Sequence, residues 1–396
     1  MTYNHPTEIP ESNIKFKWTG TRTSCKIEGI HGDTYPITWA SDNKAYMSSG
    51  DPNWCFKDGV PTHYLWKDAI ADPQVYPHVS GLDIEELCGV GKDLIIKSIN
   101  TMPGFTGPGG YGAKPTGMIC VDGVLYLAAQ NLLGKKPCPI SEKSQHGSDA
   151  TIIKSKDFGK TWTPDITPIL TDLENNFYDR EAWVWKNTPE ERASWKGWSP
   201  MFPGSSFGGP SFVQFGKNNE HARDDQIYAL SSDQWDNGSS LRLGRVHKQS
   251  ILDPEAWSWA VYENNKINWI KSLEQSKPVL TVHNHISLPE MIYIPTIKRY
   301  LLLSNALHSD FNTDTGSKLY ILESENPWGP FNLVYYEDIW ESVEACPYNP
   351  RIPLKWFDYE NLTGWLLHSG NWMIERSYGT AHYKAHTKPF ALEIQH

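Results

Sequence analysis

The stretch "GDTYPITWASDNKAYMSSGD", residues 32–51, decides the fold class of this chain. It contains two short β-forming runs, 35–41 and 44–50, on either side of a turn at Asp42 and Asn43. Two such runs joined by turn-forming residues are typical of a β-hairpin. The stretch therefore predicts a pair of antiparallel strands with both open ends at the same side.

Four further strand pairs follow, at 116–130, 210–232, 290–304 and 350–370. Each precedes a further strand pair that is expected to form the third and fourth strands of the unit. Examples are "LRLGRVHK" with "AWSWAVYE" (241–248 and 256–263), "KLYILES" with "FNLVYYE" (318–324 and 331–337), and "TAHYKAH" with "FALEIQ" (380–386 and 390–395). Five units of roughly 50–100 residues, each a four-stranded antiparallel meander, predict an all-β chain that forms one five-bladed β-propeller. No linker divides the chain, so residues 1–396 are interpreted as a single domain.

Two segments fall outside this repeat. The N-terminal arm, 1–33, contains "IKFKW", which is expected to add a strand where the ring closes. The Trp-rich segment 160–205 is interpreted as a surface insertion with a short helix near 188–195. A sixth blade within that insertion stays open as an alternative.

The stretch "SKDFGKTW", 155–162, predicts a tight turn between the third and fourth strands of a blade. Asp157 can accept hydrogen bonds from nearby amides, and Gly159 can adopt positive φ where the chain reverses. The pattern resembles the Asp-box of sialidases and other β-propellers. It predicts a structural turn on the face opposite the active site.

Charge and aromatic content indicate which class of partner the protein binds. The net charge is −10 and the pI is about 5.8, without a basic stripe, which argues against nucleic acid. Aromatic residues make up 13% of the chain, with 18 Trp and 19 Tyr. That content suits a β core or a surface that stacks on sugar rings. We expect a carbohydrate partner and a monomer.

Apolar runs and the N-terminal residues bear on the cellular compartment. No apolar run reaches transmembrane length, and the first residues lack a signal-peptide core. A cytosolic protein and a mature secreted or periplasmic form both fit, and we favour the second. The six cysteines lack metal-ligand spacing and fix no disulfide pairing. No cofactor is expected; a structural ion such as calcium stays open.

Propeller topology brings the starts of the inner strands and the loops between second and third strands to one face, which we call the funnel. Carboxylates beside aromatic rings on this face are the composition of a sugar site. Asp233 is one of several funnel carboxylates. The residues proposed to bind substrate there are Lys114, His146, Asp149, Trp235, His285, Asn349, Trp372 and Arg376.

Asp33 and Asp51 stand at the two ends of the first hairpin, so their carboxyl groups are expected to lie close together. Glycosidic cleavage needs such a pair, with one group as acid and the other as base or nucleophile. The alternative is that each aspartate caps a turn. Glu290, at the start of another inner strand, is a third catalytic candidate, and a salt bridge between blades is its alternative.

Two other candidates have structural alternatives of equal weight or more. His283 and His285 share one face of a strand as metal ligands would, but no third ligand accompanies them, and ordinary loop histidines are favoured. Lys114 fits either a substrate group or a structural ion pair.

Several stretches together resemble a domain-of-unknown-function family of five-bladed propellers. They include "GDTYPITWASDNKAYMSSGD", "KPTGMICVDGVLYLAAQN" and "EMIYIPTIKRYLLLSN", and the resemblance spans about residues 30–395. That family includes endo-D-arabinanases, so the resemblance implies a glycosidase, with the family's acidic pair at Asp33 and Asp51. The Trp-rich insertion departs from the family pattern and leaves the substrate open.

The residues of the funnel fit three functions. The first is a glycoside hydrolase that uses Asp33 and Asp51. The second is a polysaccharide lyase that acts on a uronate-containing glycan, for which His146, His285, Tyr378 and Arg376 are the available residues. The third is a glycan-binding propeller without catalysis.

Overall fold

The computed structural model describes most of the chain. The residues that it does not describe are 29–31, 51–55, 58–59, 62–81, 103–112, 131–148, 165–177, 180–183, 186–199, 310–311, 373–381 and 396. The described residues are almost entirely strands and loops, and the helical segments with described bounds are 3-10 turns of three residues. Among the described residues, no helix has the length and apolar character that a membrane crossing requires.

Five of the seven described sheets have three or more strands and follow one another around the ring, which confirms the predicted five-bladed β-propeller; the other two are two-stranded hairpins, Phe56–Lys57 with Val60–Pro61 and Tyr178–Asp179 with Val184–Trp185. From the axis outward, blade 1 contains Ile37–Trp39, Ala45–Gly50, Leu82–Cys88 and Ile95–Met102. Blade 2 contains Lys114–Val121, Val124–Gln130 and Thr151–Ser155. Blade 3 begins with Ser211–Phe212, Gln226–Ser232 and Gly238–His247. Blade 4 contains Glu290–Ile294, Arg299–Ser309, Asn312–Ser324 and Asn332–Glu337. Blade 5 contains Tyr348–Arg351, Thr363–Ser369, His386–Ile394 and the N-terminal Ile14–Trp18.

Hydrogen bonds join every neighbouring pair of inner segments around the axis. Each of these bonds ends on a backbone carbonyl oxygen. Thr34 Oγ1 donates to Pro115 (3.5 Å), Thr116 Oγ1 to Pro210 (2.8 Å), and the backbone N–H of Gln214 to Met291 (2.9 Å). Arg351 then donates from Nη1 to Pro289 (2.9 Å) and from Nη2 to Thr34 (3.3 Å). The fifth contact returns to the first blade, so five blades close the ring.

Blade 2 is the smallest of the five. Its fourth position is held by a single bridge, in which Lys154 and Thr163 exchange backbone hydrogen bonds of 2.9 and 2.8 Å. The described strands of the Trp-rich insertion are one short hairpin, Tyr178–Asp179 with Val184–Trp185. The predicted helix near 188–195 lies outside the described residues.

Blade 5 differs from the sequence prediction in its outer half. The segments "TAHYKAH" and "FALEIQ" were expected to be its third and fourth strands, but His386–Ile394 is one continuous strand, and Ile14–Trp18 is the fourth. Pro389 lies within this strand, where its outer edge changes partner between the Trp18–Phe390 and Thr23–Thr387 pairs, so the missing N–H falls at a gap between those two pairings.

Blade 3 divides its fourth position between two strands. Ser258–Glu263 pairs with Gly238–His247 only at Gly244 and Arg245, and Leu280–Ile286 pairs with the other end of the same strand. The expected fourth strand "AWSWAVYE" therefore covers half of the edge. Packed apolar side chains from facing blades fill the spaces between sheets, as the β-branched and aromatic composition predicts.

The turn in "SKDFGKTW" has the predicted chemistry. Asp157 accepts hydrogen bonds from the Thr161 amide (2.9 Å) and hydroxyl (2.7 Å) and from the Ser155 hydroxyl (2.7 Å). Burial opposes ionisation of Asp157, but these hydrogen bonds outweigh it and lower its pKa. Gly159 has φ 91°, and a Cβ there would lie 2.6 Å from Ile84 of blade 1. The turn thus fixes both its own reversal and its contact with the neighbouring blade.

Replacing Asp157 by Ala should lower the free energy of unfolding by about 1–3 kcal/mol, because three donors lose their shared acceptor. Urea denaturation measures this change. Lys156→Ala, at an exposed position of the same turn, is the control and should change stability by less than about 0.5 kcal/mol. Equal stability of the two variants would show that the Asp157 carboxylate does not hold the turn.

Candidate functional site

Asp33 stands at the funnel end of blade 1. Its backbone exchanges two 2.8 Å hydrogen bonds with Gly50, which pairs the two ends of the first hairpin as the sequence predicts. The Asp33 side chain is 8% exposed. Asp51, the other predicted acid, follows Gly50 directly in the chain and lies outside the described residues.

Blade 5 supplies an aromatic wall beside Asp33. The Tyr348 hydroxyl donates a 2.9 Å hydrogen bond to Asp33 Oδ2. The half-buried ring of Trp372 meets the Tyr348 ring edge-on, with centroids 5.1 Å apart at an angle of 81°. Tyr348 was not among the predicted site residues, although its place at the start of an inner strand was the available signal. The wall fixes one oxygen of Asp33, and Trp372 packs behind Tyr348 against the core shared by blades 1 and 5.

Lys114 approaches Asp33 from blade 2. A Cβ added to Gly50 would lie 3.3 Å from Asp33 Oδ1 and 3.3 Å from Lys114 Cδ, so the lysine chain and the carboxylate contact the same small surface of Gly50. Lys114 is 1% exposed. Burial lowers the pKa of Lys114 to about 8, while the charges of Asp33 and Asp236 act in the opposite direction. A buried cation therefore lies beside the candidate catalytic carboxylate.

Asp236 is the second acid of this cluster, and the sequence pattern did not reveal it. Asp233, from the same loop, was predicted as a funnel carboxylate. It instead accepts the Ser239 and Ser240 amides at 2.9 and 3.1 Å, which is a structural cap. Asp236 is buried and couples electrostatically to Lys114. The loop contains two aspartates, and only the fold shows which of them faces inward.

Glu290 is buried between blades 4 and 5 rather than open to the funnel. Its carboxylate accepts the Ile352 amide at 2.5 Å and faces Arg351, which donates to the Pro289 and Thr34 carbonyls. Burial raises the pKa of Glu290 to about 7, against the effect of Arg351. Arg351 acts on Glu290 electrostatically across the two blades, but the two side chains form no direct ion pair, so the salt bridge expected as the alternative to catalysis is present only as this longer-range interaction.

Three more predicted residues occupy distinct places. Asn349 is buried, and its backbone N–H donates a 3.0 Å hydrogen bond to Asn305 Oδ1. Asp149 accepts the Gly204 amide at 3.0 Å and so ties the funnel end of blade 2 to the segment after the insertion. Trp235 is 4% exposed, so it packs within the protein and presents no open ring face for a sugar.

His285 lies in the outer strand of blade 3, Leu280–Ile286, whereas Asp33 lies beside the inner hairpin of blade 1. Its ring contacts His5 edge-on at 4.8 Å, and its Nε2 lies 3.4 Å from Lys318 Nζ. Burial lowers the pKa of His285, and Lys318 and His5 act in the same direction. His146 and Arg376 lie outside the described residues.

The described part of the chain offers neither a metal centre nor a disulfide. No group of three or more His, Cys, Asp or Glu side chains among the described residues could hold a metal ion. The described cysteines, Cys25, Cys88, Cys120 and Cys346, are free thiols.

The cluster of Asp33, Tyr348, Lys114 and Asp236 can do specific chemistry. A carboxylate beside a buried ammonium is favoured in its ionised form, as a base or nucleophile requires. The Tyr348 hydrogen bond fixes the orientation of the carboxylate before a substrate arrives. Trp372 lies on the same wall, where a sugar ring can stack.

Comparison with solved structures finds propellers of glycoside hydrolases. The chain is similar to an α-L-arabinofuranosidase of Podospora anserina, with a TM-score of 0.49 and 11% identity over 96% of this chain and 98% of that chain. It is also similar to an α-L-arabinanase of Cellvibrio cellulosa (TM-score 0.47, 11% identity, 91% and 92% covered). A family 117 glycoside hydrolase of Zobellia galactanivorans gives a TM-score of 0.44 at 11% identity, with 96% and 91% covered. At TM-scores below 0.5, these likenesses do not assign a function to the chain.

No family model matches the chain, and no curated protein matches it either.

Proposed function

We propose that this protein is a glycoside hydrolase that cleaves a poly- or oligosaccharide, with Asp33 as the base or nucleophile and Asp51 as the acid. The observation that carries the proposal is the Asp33 carboxylate, which is oriented by the Tyr348 hydroxyl and lies beside buried Lys114 at the funnel end of the ring. A carboxylate held in this way is ready to attack an anomeric carbon or to activate water.

The second carboxyl group comes from the chain itself. Gly50 is hydrogen-bonded to Asp33 in both directions, and Asp51 is the next residue. The acid of such a pair must hold its proton until it meets the leaving oxygen, and Asp51 is proposed for that role. Chemistry by two carboxyl groups needs no cofactor.

The sugar is proposed from the sequence resemblance alone. The family of five-bladed propellers that this chain resembles includes endo-D-arabinanases, which favours an arabinan-like substrate. The aromatic wall of Tyr348 and Trp372 fits this class because sugar rings stack on aromatic faces.

The test is incubation of the protein with D-arabinan, L-arabinan, xylan, galactan and a uronate-containing polysaccharide. A new reducing end without ultraviolet absorbance supports the hydrolase. Release of an unsaturated, ultraviolet-absorbing uronate would show a lyase, and binding without product would show a glycan-binding protein. Asp233→Asn should retain activity, because an amide oxygen can still accept the Ser239 and Ser240 amides.

Gly50 offers a test that changes no charge. In Gly50→Ala the new methyl group would lie 3.0–3.3 Å from Pro115, Asp33 and Lys114, so Asp33 must shift by a few tenths of an ångström. We expect turnover to fall about 10–100-fold, because small misplacements of reacting groups are costly. Steady-state kinetics measures the loss.

Gly364→Ala is the matched control. Its new methyl group would meet the Phe357 and Phe390 rings at 3.0 Å, inside blade 5. It should lower the melting temperature and leave turnover of the folded protein unchanged. Wild-type turnover in Gly50→Ala would show that the position of Asp33 is not critical.

A further inference from the structure

We infer that Asp236 and Lys114 are positioning residues that together set the charge of Asp33, with Lys114 stabilising its ionised form and Asp236 moderating that effect. The inference rests on the proposed function, because it assigns roles around the carboxylate that is proposed to act there. It adds a residue, Asp236, that no sequence signal selected.

Gly50 leaves room for Lys114 and Asp33 to approach each other. Both side chains pack against the Gly50 Cα, since a Cβ at that position would lie 3.3 Å from Asp33 Oδ1 and 3.3 Å from Lys114 Cδ, and the two groups interact electrostatically. The Thr34 hydroxyl donates to the Pro115 carbonyl at 3.5 Å, which ties the residue after Asp33 to the residue after Lys114. The two side chains therefore approach each other from two blades whose backbones are joined at this point.

Asp236 is held in place from both sides of its loop. On one side, Asp233 caps the Ser239 and Ser240 amides. On the other, Asn237 exchanges hydrogen bonds of 2.8 and 3.2 Å with the Leu307 backbone of blade 4. Asp236 is 3% exposed, so its carboxylate is directed into the protein, where it interacts with Lys114.

Among the described residues, the charged and titratable groups in and around the cluster come from all five blades. Asp33 faces Tyr348 and Lys114, and Lys114 faces Asp33 and Asp236. Asp236 also interacts with the Cys346 thiol, whose pKa burial raises to about 12, so that thiol stays neutral. Arg351 contacts the Thr34 backbone and is engaged by Glu290. Within the part of the chain that the structure describes, Lys114 is therefore a cation beside the Asp33 carboxylate, and Asp236 is an anion that acts on the same lysine.

This arrangement gives opposite effects for two substitutions. In Lys114→Gln, Asp33 loses its neighbouring cation, so the pH at which it ionises should rise by about one unit. In Asp236→Asn, Lys114 loses its other anion and acts more strongly on Asp33, so that pH should fall by about one unit. If Lys114 and Asp236 were only structural, the two substitutions would not shift the ionisation of Asp33 in opposite directions.

The experiment is carbon-13 NMR titration of the full chain labelled at the aspartate carboxyl carbon. The Asp33 resonance is assigned by its absence in Asp33→Asn. Opposite displacements of the Asp33 midpoint in Lys114→Gln and Asp236→Asn are the expected result. Displacements in the same direction, or both smaller than about 0.3 unit, would overturn the inference.

Two controls keep the result interpretable. Asp233→Asn, in the same loop, should leave the midpoint unchanged. Lys114→Arg keeps the positive charge and should restore a midpoint close to that of the wild type. If Lys114→Gln does not fold, Asp236→Asn and Lys114→Arg still decide the outcome, because they predict a fall and no change.

Kinetics then separates this inference from the proposed function. If the wild-type protein cleaves a glycan, the acidic limb of kcat/KM should move with the NMR midpoint in each variant. Cleavage with unmoved midpoints would refute the coupling and leave the hydrolase intact. Opposite midpoint shifts in a protein that cleaves no glycan would refute the hydrolase and leave the coupling intact.

Discussion

Replacing Asp33 by Asn is expected to lower the turnover of glycan cleavage by about 10²–10⁴-fold, the usual scale for removal of an acid–base group. The amide keeps the size of the carboxylate and can still accept the Tyr348 hydroxyl at the same place. The substitution removes the negative charge and the ability to attack an anomeric carbon or to activate water. The loss should therefore appear in kcat rather than in stability.

Steady-state kinetics and thermal unfolding of the same preparation test this expectation together. Removing a charge beside a buried lysine could raise or lower the melting temperature by a few degrees, but the protein should remain folded. Asp233→Asn controls for the loss of an aspartate at the funnel face. Wild-type turnover in Asp33→Asn would exclude Asp33 from the chemistry.

The second large effect concerns stability. Replacing Arg351 by Met is expected to lower the free energy of unfolding by about 3–5 kcal/mol, because it leaves two buried carbonyls without their donor and removes a positive charge that acts on the buried Glu290 carboxylate. Arg351 also donates to the Pro289 and Thr34 carbonyls, so one side chain joins blades 4, 5 and 1. Its loss removes two of the five links in the ring.

The pH dependence of this effect has a definite sign. The pKa of folded Glu290 is raised from 4.5 to about 7, so its contribution to stability is present below pH 4.5 and is lost as the pH rises through 7. Without Arg351 the ionised form becomes costlier still. Arg351→Met should therefore be more destabilising at pH 8 than at pH 5.

Urea denaturation at the two pH values measures the difference. Lys277→Met is the control, because it breaks an ion pair with Glu263 whose side chains are 57% and 50% exposed. That change should cost less than about 1 kcal/mol at either pH. Similar costs for Arg351→Met and Lys277→Met would show that Arg351 does not hold the ring together.

Local sequence signals predicted the repeating part of the fold. Hairpins such as 116–130 are local, because alternating residues and a two-residue turn specify both strands and their register. The closing strand is not local, since Ile14–Trp18 pairs with His386–Ile394 at the far end of the chain. The pattern predicted that "IKFKW" would add a strand at the ring closure, but it could not choose the partner of that strand, and the fourth strand of blade 5 was expected in "FALEIQ" instead.

The sequence likewise predicted some residues of the candidate site and missed others. Asp33 and Lys114 follow from topology, because both stand where inner strands begin. Asp236 and Asp233 lie three residues apart in one loop, and only the hydrogen bonds of the folded loop show that Asp233 is a cap and Asp236 an internal charge. Trp235 shows the same limit, since an aromatic residue in a loop can stack on a ligand or pack inside.

The most direct test of the central claim is a crystal structure of Asp33→Asn with a bound oligosaccharide, in which the positions of residues 33 and 51 relative to the scissile bond are measured. We expect both side chains to flank that bond within the funnel. A separation of about 5–5.5 Å between the two carboxyl groups would indicate retention of configuration, and about 6.5–9.5 Å would indicate inversion. An oligosaccharide bound away from residue 33, or residue 51 on the opposite face of the ring, would contradict the account.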